Sequence, residues 1–406
     1  DAWAVVRLYR RFAEGVRGHR ELEVAAWLEL AEVIRTQVDD AAGERDALDH
    51  AHDLAPDAPA VAAALAVYEQ RHSGALEPWS AGVQEWTRNL HRHALGVELW
   101  RSARDHRQGD AAFLTASALV ALGHTDGEIE GSYQRWRPRF VVRARRDLSQ
   151  DDWARIRHPH DAAEIGALIA LIAPMVHAMT PTTLRDLDVL ETMRIPDGDL
   201  PESFRKLRGY LAALLGTMEP AVYARPELGR SLHIGALAVP VLLAGRELLD
   251  SPDRVTLAFQ LARAMSFVGP ARAIGGSRPA RVLRGATLAV IAEVAPAAAR
   301  ALRAADRDGW VARASAALDV LDERARVQAR QLALRLVQRT PQLNLSQWAR
   351  GLSRTADRIG LLVTGDLPLA RRLAVECGAG DDDLVEFAIS TAHLRLRTEL
   401  GLSIDV

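Results

Sequence analysis

Apolar residues recur at helical spacing over most of the chain, and strict alternation of apolar and polar residues is rare. Within residues 20–70, Trp27, Leu30, Ala31 and Ile34 line one face of a first helix. A turn is expected over Asp39–Gly43, followed by a second helix carrying Ala47, Leu48 and Ala51. It stops near Pro56, in the run Leu54-Ala55-Pro56-Asp57, because proline lacks the N–H that would extend it. Pro59 suits the first position of the next helix, which continues through Ala60–Gln70. Trp86–Arg104, Asp110–Leu122 and Glu128–Trp136 read as further helices. His158-Pro159-His160 reads as a loop, since a residue before proline avoids the helical region. Ala162–Met179 reads as one apolar helix; Glu164, Pro174 and His177 mark it as a core element rather than a membrane span. The run Pro-Asp-Gly-Asp-Leu-Pro at 196–201 is the clearest linker.

The texture changes after the linker. Ser203–Met218 reads as an amphipathic helix. Ala221–Ala224, Leu232–Leu237 and Pro240–Ala244 are short, apolar and separated by Gly or Pro, as strands of a small sheet are. Asp253 reads as the N-cap of a helix through Leu257, Leu261, Met265 and Val268. Long helices are expected at about 280–303, 309–339, 344–362 and 381–399.

Composition narrows the class. A chain of 406 residues exceeds one domain of roughly 100–200 residues, so two or three are expected. Acidic residues number 53 and basic ones 51, a balance that offers no footprint for nucleic acid. Lys206 is the sole lysine; this arginine and alanine bias is that of a GC-rich bacterial coding sequence, so arginine richness carries no functional meaning by itself. Cys377 is the single cysteine, which excludes a disulfide framework and a multi-cysteine zinc site. No run of about 18 apolar residues marks a transmembrane helix. The chain starts at Asp1 rather than Met, as a trimmed or processed chain or a fragment does, and shows no charged segment leading into an apolar core. The expected location is therefore cytoplasmic.

The first helical pair, with its early tryptophan, small residues at the crossing and closing proline, resembles a tetratricopeptide repeat of about 34 residues. The same residues also fit a generic helical bundle. Either way such helices need stacked neighbours to bury their apolar faces.

A second resemblance covers roughly the C-terminal half. Short strands, the turn Gly245-Arg246-Glu247-Leu248-Leu249 and the helix DRVTLAFQLARAMSF from Asp253 to Phe267 resemble the zinc metallopeptidases of the heat-shock membrane protease and CAAX prenyl protease type. That family places a His-Glu-x-x-His motif on this helix, and Leu257, Ala258, Leu261 and Ala262 fall on its apolar positions. Its third zinc ligand comes from a Glu-x-x-Ala-Asp-x-x-Gly helix; here Ser353-Arg354-Thr355-Ala356-Asp357-Arg358-Ile359-Gly360 keeps the Ala-Asp and the Gly. The resemblance implies a gluzincin-like domain. It also implies that the chemistry is lost. Zinc catalysis needs two imidazoles at i and i+4, a third ligand and a carboxylate base. The two histidine positions hold Arg263 and Phe267, the base position holds Ala264, and the third ligand position holds Ser353. Arginine is a fixed cation and phenylalanine has no lone pair. The alignment implies that Phe267 fills the space of the lost metal, and that Arg263 turns to Asp357 or another nearby acid.

Other constellations carry less. His91 and His93, like His50 and His52, stand at i, i+2 and point to different faces of a helix. His158 and His160 lack a third ligand and read as a surface loop, while His177 and His233 read as core histidines. No serine-nucleophile elbow, Walker loop or dinucleotide-binding glycine pattern occurs; Ile274-Gly275-Gly276-Ser277 reads as a turn. Cys377 reads as a small buried filler. The basic run Arg135–Arg146, with Trp136 and Phe140, fits an anion or nucleic-acid patch but reads more simply as a solvated hinge neutralised by Asp147, Asp151 and Asp152.

The expected fold is mainly α. Residues 1–140 form a tetratricopeptide-like array of helical hairpins, 141–195 a helical connector, and 196–406 a gluzincin-like domain with a small sheet. No catalytic residue, metal or cofactor is expected, and Arg263, Ala264, Phe267, Ser353 and Asp357 are the degenerate site. The expected function is a non-catalytic scaffold or adaptor for a protein or peptide partner. The alternatives are a structural subunit of a larger complex, or an enzyme with an unrecognised site.

Overall fold

The helical periodicity resolves into helices that end where proline, glycine or a capping side chain ends them. A computed structural model describes residues 2–38, 40–56, 58–124, 126–251, 253–303, 308–339, 344–378 and 382–404. Asp39 and Asp57, in the expected turn and helix stop, and position 381, the expected start of the last long helix, lie outside the described residues. The chain divides into two compact units, one running to Ala112 and one spanning Phe113–Ile404.

The smaller unit holds α1 (Ala2–Gly15), α2 (Arg20–Val33), α3 (Ala41–Leu54), α4 (Pro59–Thr87) and α5 (His93–Asp105). Helix α6 (Gly109–Ala121) crosses the division. Each of α1 to α5 packs on its neighbour in sequence. Trp27, Leu30, Ala31 and Ile34 are buried with Ala47, Leu48 and Ala51, so alanines at the crossing let α2 and α3 approach closely. Pro59 sits in the first turn of α4, where its missing N–H costs nothing. Residues Trp86–Arg104, expected as one helix, are two. Helix α4 ends at Thr87, and the buried Trp86 indole donates to the Leu90 carbonyl at 3.2 Å in the link before α5.

The larger unit contains α7 (Gly127–Trp136), α8 (Gln150–Ile156), α9 (Ala163–Leu171), α10 (Ala173–Met179), β1 (Arg194–Ile195) and α11 (Glu202–Leu215). Then come β2 (Val222–Ala224), β3 (Leu232–Gly235), β4 (Val241–Ala244), α12 (Arg246–Leu249), α13 (Arg254–Met265), α14 (Pro270–Ser277) and α15 (Ala280–Val294). It closes with α16 (Pro296–Arg303), α17 (Trp310–Ala316), α18 (Glu323–Arg339), α19 (Leu345–Thr364), α20 (Leu367–Glu376), α21 (Asp383–Ala388) and α22 (Thr391–Glu399). Among the described residues no helix is long and apolar enough to cross a membrane.

Four long helices expected from periodicity are broken, 381–399 among them, where α21 ends at Ala388 and Ser390 caps α22. Pro174 restarts 162–179 as α10 after Ile172, and Pro296 restarts 280–303 as α16. Residues 309–339 break at a short 3-10 turn, Leu318–Val320. Conversely, Gly275 and Gly276 lie inside α14 rather than in a turn. Periodicity sees apolar spacing, and these breaks keep it.

The contact division lies at Ala112/Phe113, whereas the sequence reading ended its N-terminal part at 140 and set 141–195 apart as a connector. The side chains after 113 explain the difference. Asp366, fully buried at the N-cap of α20, accepts from the Tyr133 hydroxyl and from Arg137 Nε, both at 2.8 Å. Burial and the Asp366 charge push the Tyr133 phenol far up, so it stays a donor. Arg146 pairs with Asp152, which also closes a capping box with Ser149 at the start of α8. The basic run is thus seated in part on carboxylates of the larger unit.

The sheet order is β1-β2-β4-β3, with β2 and β4 parallel and the outer pairs antiparallel. The central strand β4 is buried throughout, as its unbroken Val-Leu-Leu-Ala run requires. Strand β1 spans two residues, too few to leave a pattern. At the edge, β3 packs on α13, and α13 crosses α19.

Gly360 makes that crossing possible. A Cβ there would lie 2.6 Å from the ring of Phe259 on α13, and Phe259 is fully buried and has no room to retreat. Gly360→Ala is expected to cost about 1–3 kcal/mol, read as a lower denaturant midpoint at unchanged slope. Gly131→Ala, exposed on α7 with open space at its Cβ, is expected to leave stability unchanged or raise it by up to about 1 kcal/mol. Equal effects of the two would show that the crossing is not close.

Candidate functional site

Helix α13 starts where Asp253 accepts from the Val255 and Thr256 amides at 3.2 and 3.0 Å. Leu257, Ala258, Leu261 and Ala262 are then buried, and the next residue of the helix, Arg263, reaches α19. Arg263 Nε donates to Asp357 Oδ1 at 2.6 Å, and Arg263 Nη2 donates to Ser353 Oγ at 2.9 Å. Three of the five singled-out residues thus meet in one hydrogen-bonded cluster. Burial pushes the Asp357 carboxyl up, ahead of the opposing pull of Arg263.

The other two line the same region. Ala264 and Phe267 are both nearly buried. The helix, however, ends at Met265 rather than continuing through Val268. The Phe267 amide bonds the Ala264 carbonyl, Ser266 Oγ bonds the Arg263 carbonyl, and Pro270 opens α14. Phe267 therefore lies past the last regular turn, its ring packed against Gly276 and joined to the main apolar core.

A cleft of about 610 Å³ opens above this cluster. Strand β3 contributes His233 and Ile234, α13 and its end contribute Arg263 and Phe267, and α19 contributes Arg350 and Ser353. Arg278 and Cys377 complete it. His233 is exposed in the cleft and not a core residue; desolvation together with the Arg263 and Arg225 charges pushes its imidazole down, so it is neutral. Cys377, at the C-cap of α20, is exposed rather than a buried filler. Desolvation pushes its thiol up, which makes it a poor nucleophile. Among the described residues no cluster of three or more His, Cys, Asp or Glu is placed to hold a metal ion.

A second polar network was not legible as a unit. His158, expected on a surface loop, is buried, and its amide donates to Thr355 Oγ1 at 3.0 Å. Its Nδ1 accepts from the His160 amide at 3.0 Å, and its Nε2 lies 3.3 Å from Asp383 Oδ1 and 3.1 Å from Arg354 Nη1. Arg358 holds Asp383 in a two-pronged pair and donates to the Ile156 and Arg157 carbonyls at the end of α8. Burial alone would raise the Asp383 carboxyl; His158 and Arg358 hold it down to about 2. Asp161 accepts from Thr355 Oγ1 and from Arg272 Nη1 at 2.8 and 2.7 Å. Asp161 stands more than 100 residues from each of these two partners. The one local signal was the polar run Thr355, Asp357 and Arg358, set against the apolar run Ile359–Val363 that follows it in α19.

The remaining histidine pairs form no site. His50 stacks on Trp27 with ring centroids 4.3 Å apart, and His91 lies exposed in the α4–α5 link. His177 is half-buried, and burial pushes its imidazole down. No protein-family model, no curated protein and no solved structure matches the chain.

Proposed function

We propose that the chain is a non-catalytic binding protein: a tetratricopeptide-like helical array that presents a partner surface, followed by a degenerate zinc-peptidase unit. One observation supports this reading above the others. A guanidinium, bonded to Ser353 and Asp357, stands where the alignment puts a zinc ligand. Zinc chemistry needs neutral imidazoles or anionic ligands around an open position. A fixed cation repels the metal instead, and Arg263 with Asp357 makes a closed electrostatic pair in its place. The cleft stays open, with Arg263 and Ser353 among its lining residues, rather than filled, which favours ligand or partner binding over a purely structural subunit.

Elemental analysis of protein purified without added metal tests the reading. The expected result is only a trace of zinc per chain, and no hydrolysis of casein after zinc is supplied. A full equivalent of zinc, or zinc-dependent hydrolysis, would sink it.

A further inference from the structure

The cleft holds a charge imbalance that the proposed loss of zinc does not explain. Arg263 is neutralised by Asp357, but two more arginines face the same space, and no Asp or Glu lines it. Arg350 on α19 is exposed and makes no ion pair among the described residues. Arg278 follows α14 and is half-buried. Its Nη2 is held by three neutral oxygens: Thr182 Oγ1 at 2.6 Å, the Thr180 carbonyl at 3.2 Å and the Ala236 carbonyl at 3.3 Å. Its Nε is buried with no acceptor, and among the described residues no carboxylate pairs with it. A guanidinium does not shed its proton under ordinary conditions, so burial leaves a fixed positive charge without a counter-ion. The three neutral oxygens set the orientation of the group without neutralising it. Beside these cations the walls are apolar, formed by Phe267 and Ile234.

We propose that this cleft binds a small organic carboxylate with an apolar body, its carboxylate held by Arg278 and Arg350 and its apolar part lying against Phe267 and Ile234. Arg350 offers the planar fork of donors that matches a carboxylate in shape and charge, while Arg278, with Nη2 engaged and Nε buried, contributes its fixed positive charge. The volume is that of an ordinary small-molecule pocket, and the mixture of apolar wall and few polar anchors is the usual one. Neutral His233 at the lip adds a hydrogen-bonding group without adding charge. The proposal stands on the geometry of the cleft and not on its ancestry, so the zinc measurement and the test below fail independently.

Cys377 lines the cleft and is the sole cysteine, which makes it a built-in reporter. The test uses the full chain with octanoate as probe, and n-octanol and inorganic phosphate as comparators. Binding is read by calorimetry and by the rate at which neutral iodoacetamide alkylates Cys377. Octanoate is expected to release or absorb heat saturably and to slow alkylation, whereas octanol and phosphate do neither. Arg278→Gln is expected to weaken octanoate roughly thirtyfold or more. Because Arg278 also anchors local backbone, Arg350→Gln serves as the second variant; it is exposed, should fold normally, and should weaken binding as well. Arg246→Gln, exposed outside the cleft, should bind as the wild type does. The proposal is overturned if octanoate neither binds nor protects Cys377. It is equally overturned if octanol or phosphate matches octanoate, or if Arg278→Gln and Arg350→Gln both bind as tightly as the wild type.

Discussion

Arg263→Ala is expected to destabilise the larger unit by about 3–5 kcal/mol at neutral pH, because it leaves a buried carboxylate with no partner. Asp357 has a side chain only 4% exposed, and its strongest contact is the 2.6 Å bond from Arg263 Nε. Ser353 loses its donor in the same step. The pH dependence has a definite sign. Burial already holds the Asp357 carboxyl above its ordinary value, and removing the cation raises it further. A carboxyl whose folded pKa exceeds its unfolded one binds its proton more tightly in the folded state. The cost is therefore full above the folded pKa and is relieved as the pH falls through it. The deficit of Arg263→Ala should shrink on moving from pH 7 toward 5. Arg263→Met with Asp357→Leu, which removes both charges, should recover most of the loss. Urea unfolding at the two pH values decides the matter. A single variant that loses less than about 1 kcal/mol, equally at both pH values, would show that the pair is solvated and energetically idle.

Asp161→Ala should cost a similar amount, about 3–5 kcal/mol, with no acid rescue. Here the orphan is Arg272, whose side chain is 15% exposed. Its Nη1 bonds Asp161 at 2.7 Å and its Nε bonds the Ser266 carbonyl at 2.7 Å. Burial pulls the Arg272 pKa down, ahead of the opposing Asp161 charge, but a guanidinium remains a cation at any pH at which the protein folds. Acidification therefore cannot neutralise it, and the deficit should be the same at pH 7 and 5. Asp161→Asn, which keeps an acceptor for Thr355 Oγ1 but loses the charge, should fall between wild type and Asp161→Ala. Exchange of the His158 amide, which bonds Thr355 Oγ1, should quicken in Asp161→Ala. An unchanged midpoint and unchanged exchange would show that Thr355 and Arg272 find other acceptors.

The two variants separate what was legible from what was not. Arg263, Ser353 and Asp357 were singled out because their spacing follows a motif, and spacing along one helix puts residues on one face. The contact between Arg263 and Asp357 was foreseeable on elementary grounds: a buried arginine needs a carboxylate, and few were near. Asp161 and Arg272 lie on a loop and a short helix, with no local pattern linking them to Thr355, so nothing in the sequence marked them as one network. His158 was read as a surface residue for the same reason. Its burial depends on α19 and α21 coming to it, and neither is near it in sequence. His233 and Cys377 were read as core residues from their neighbours, yet both face the cleft, because an edge strand and a helix end stop short of covering them.

What the sequence by itself determined is the mainly helical class, the three strands of apolar run and the N-cap at Asp253. These follow from local quantities: periodicity, cap chemistry and residue identity. How β1 joins the sheet, that the segment after Phe113 belongs with the C-terminal helices, and that Arg278 and Arg350 share one cleft were decided only by the tertiary structure. Each depends on which distant surface a residue meets, and burial against a distant partner outweighs the few tenths of a kcal/mol by which local propensity distinguishes one residue from another.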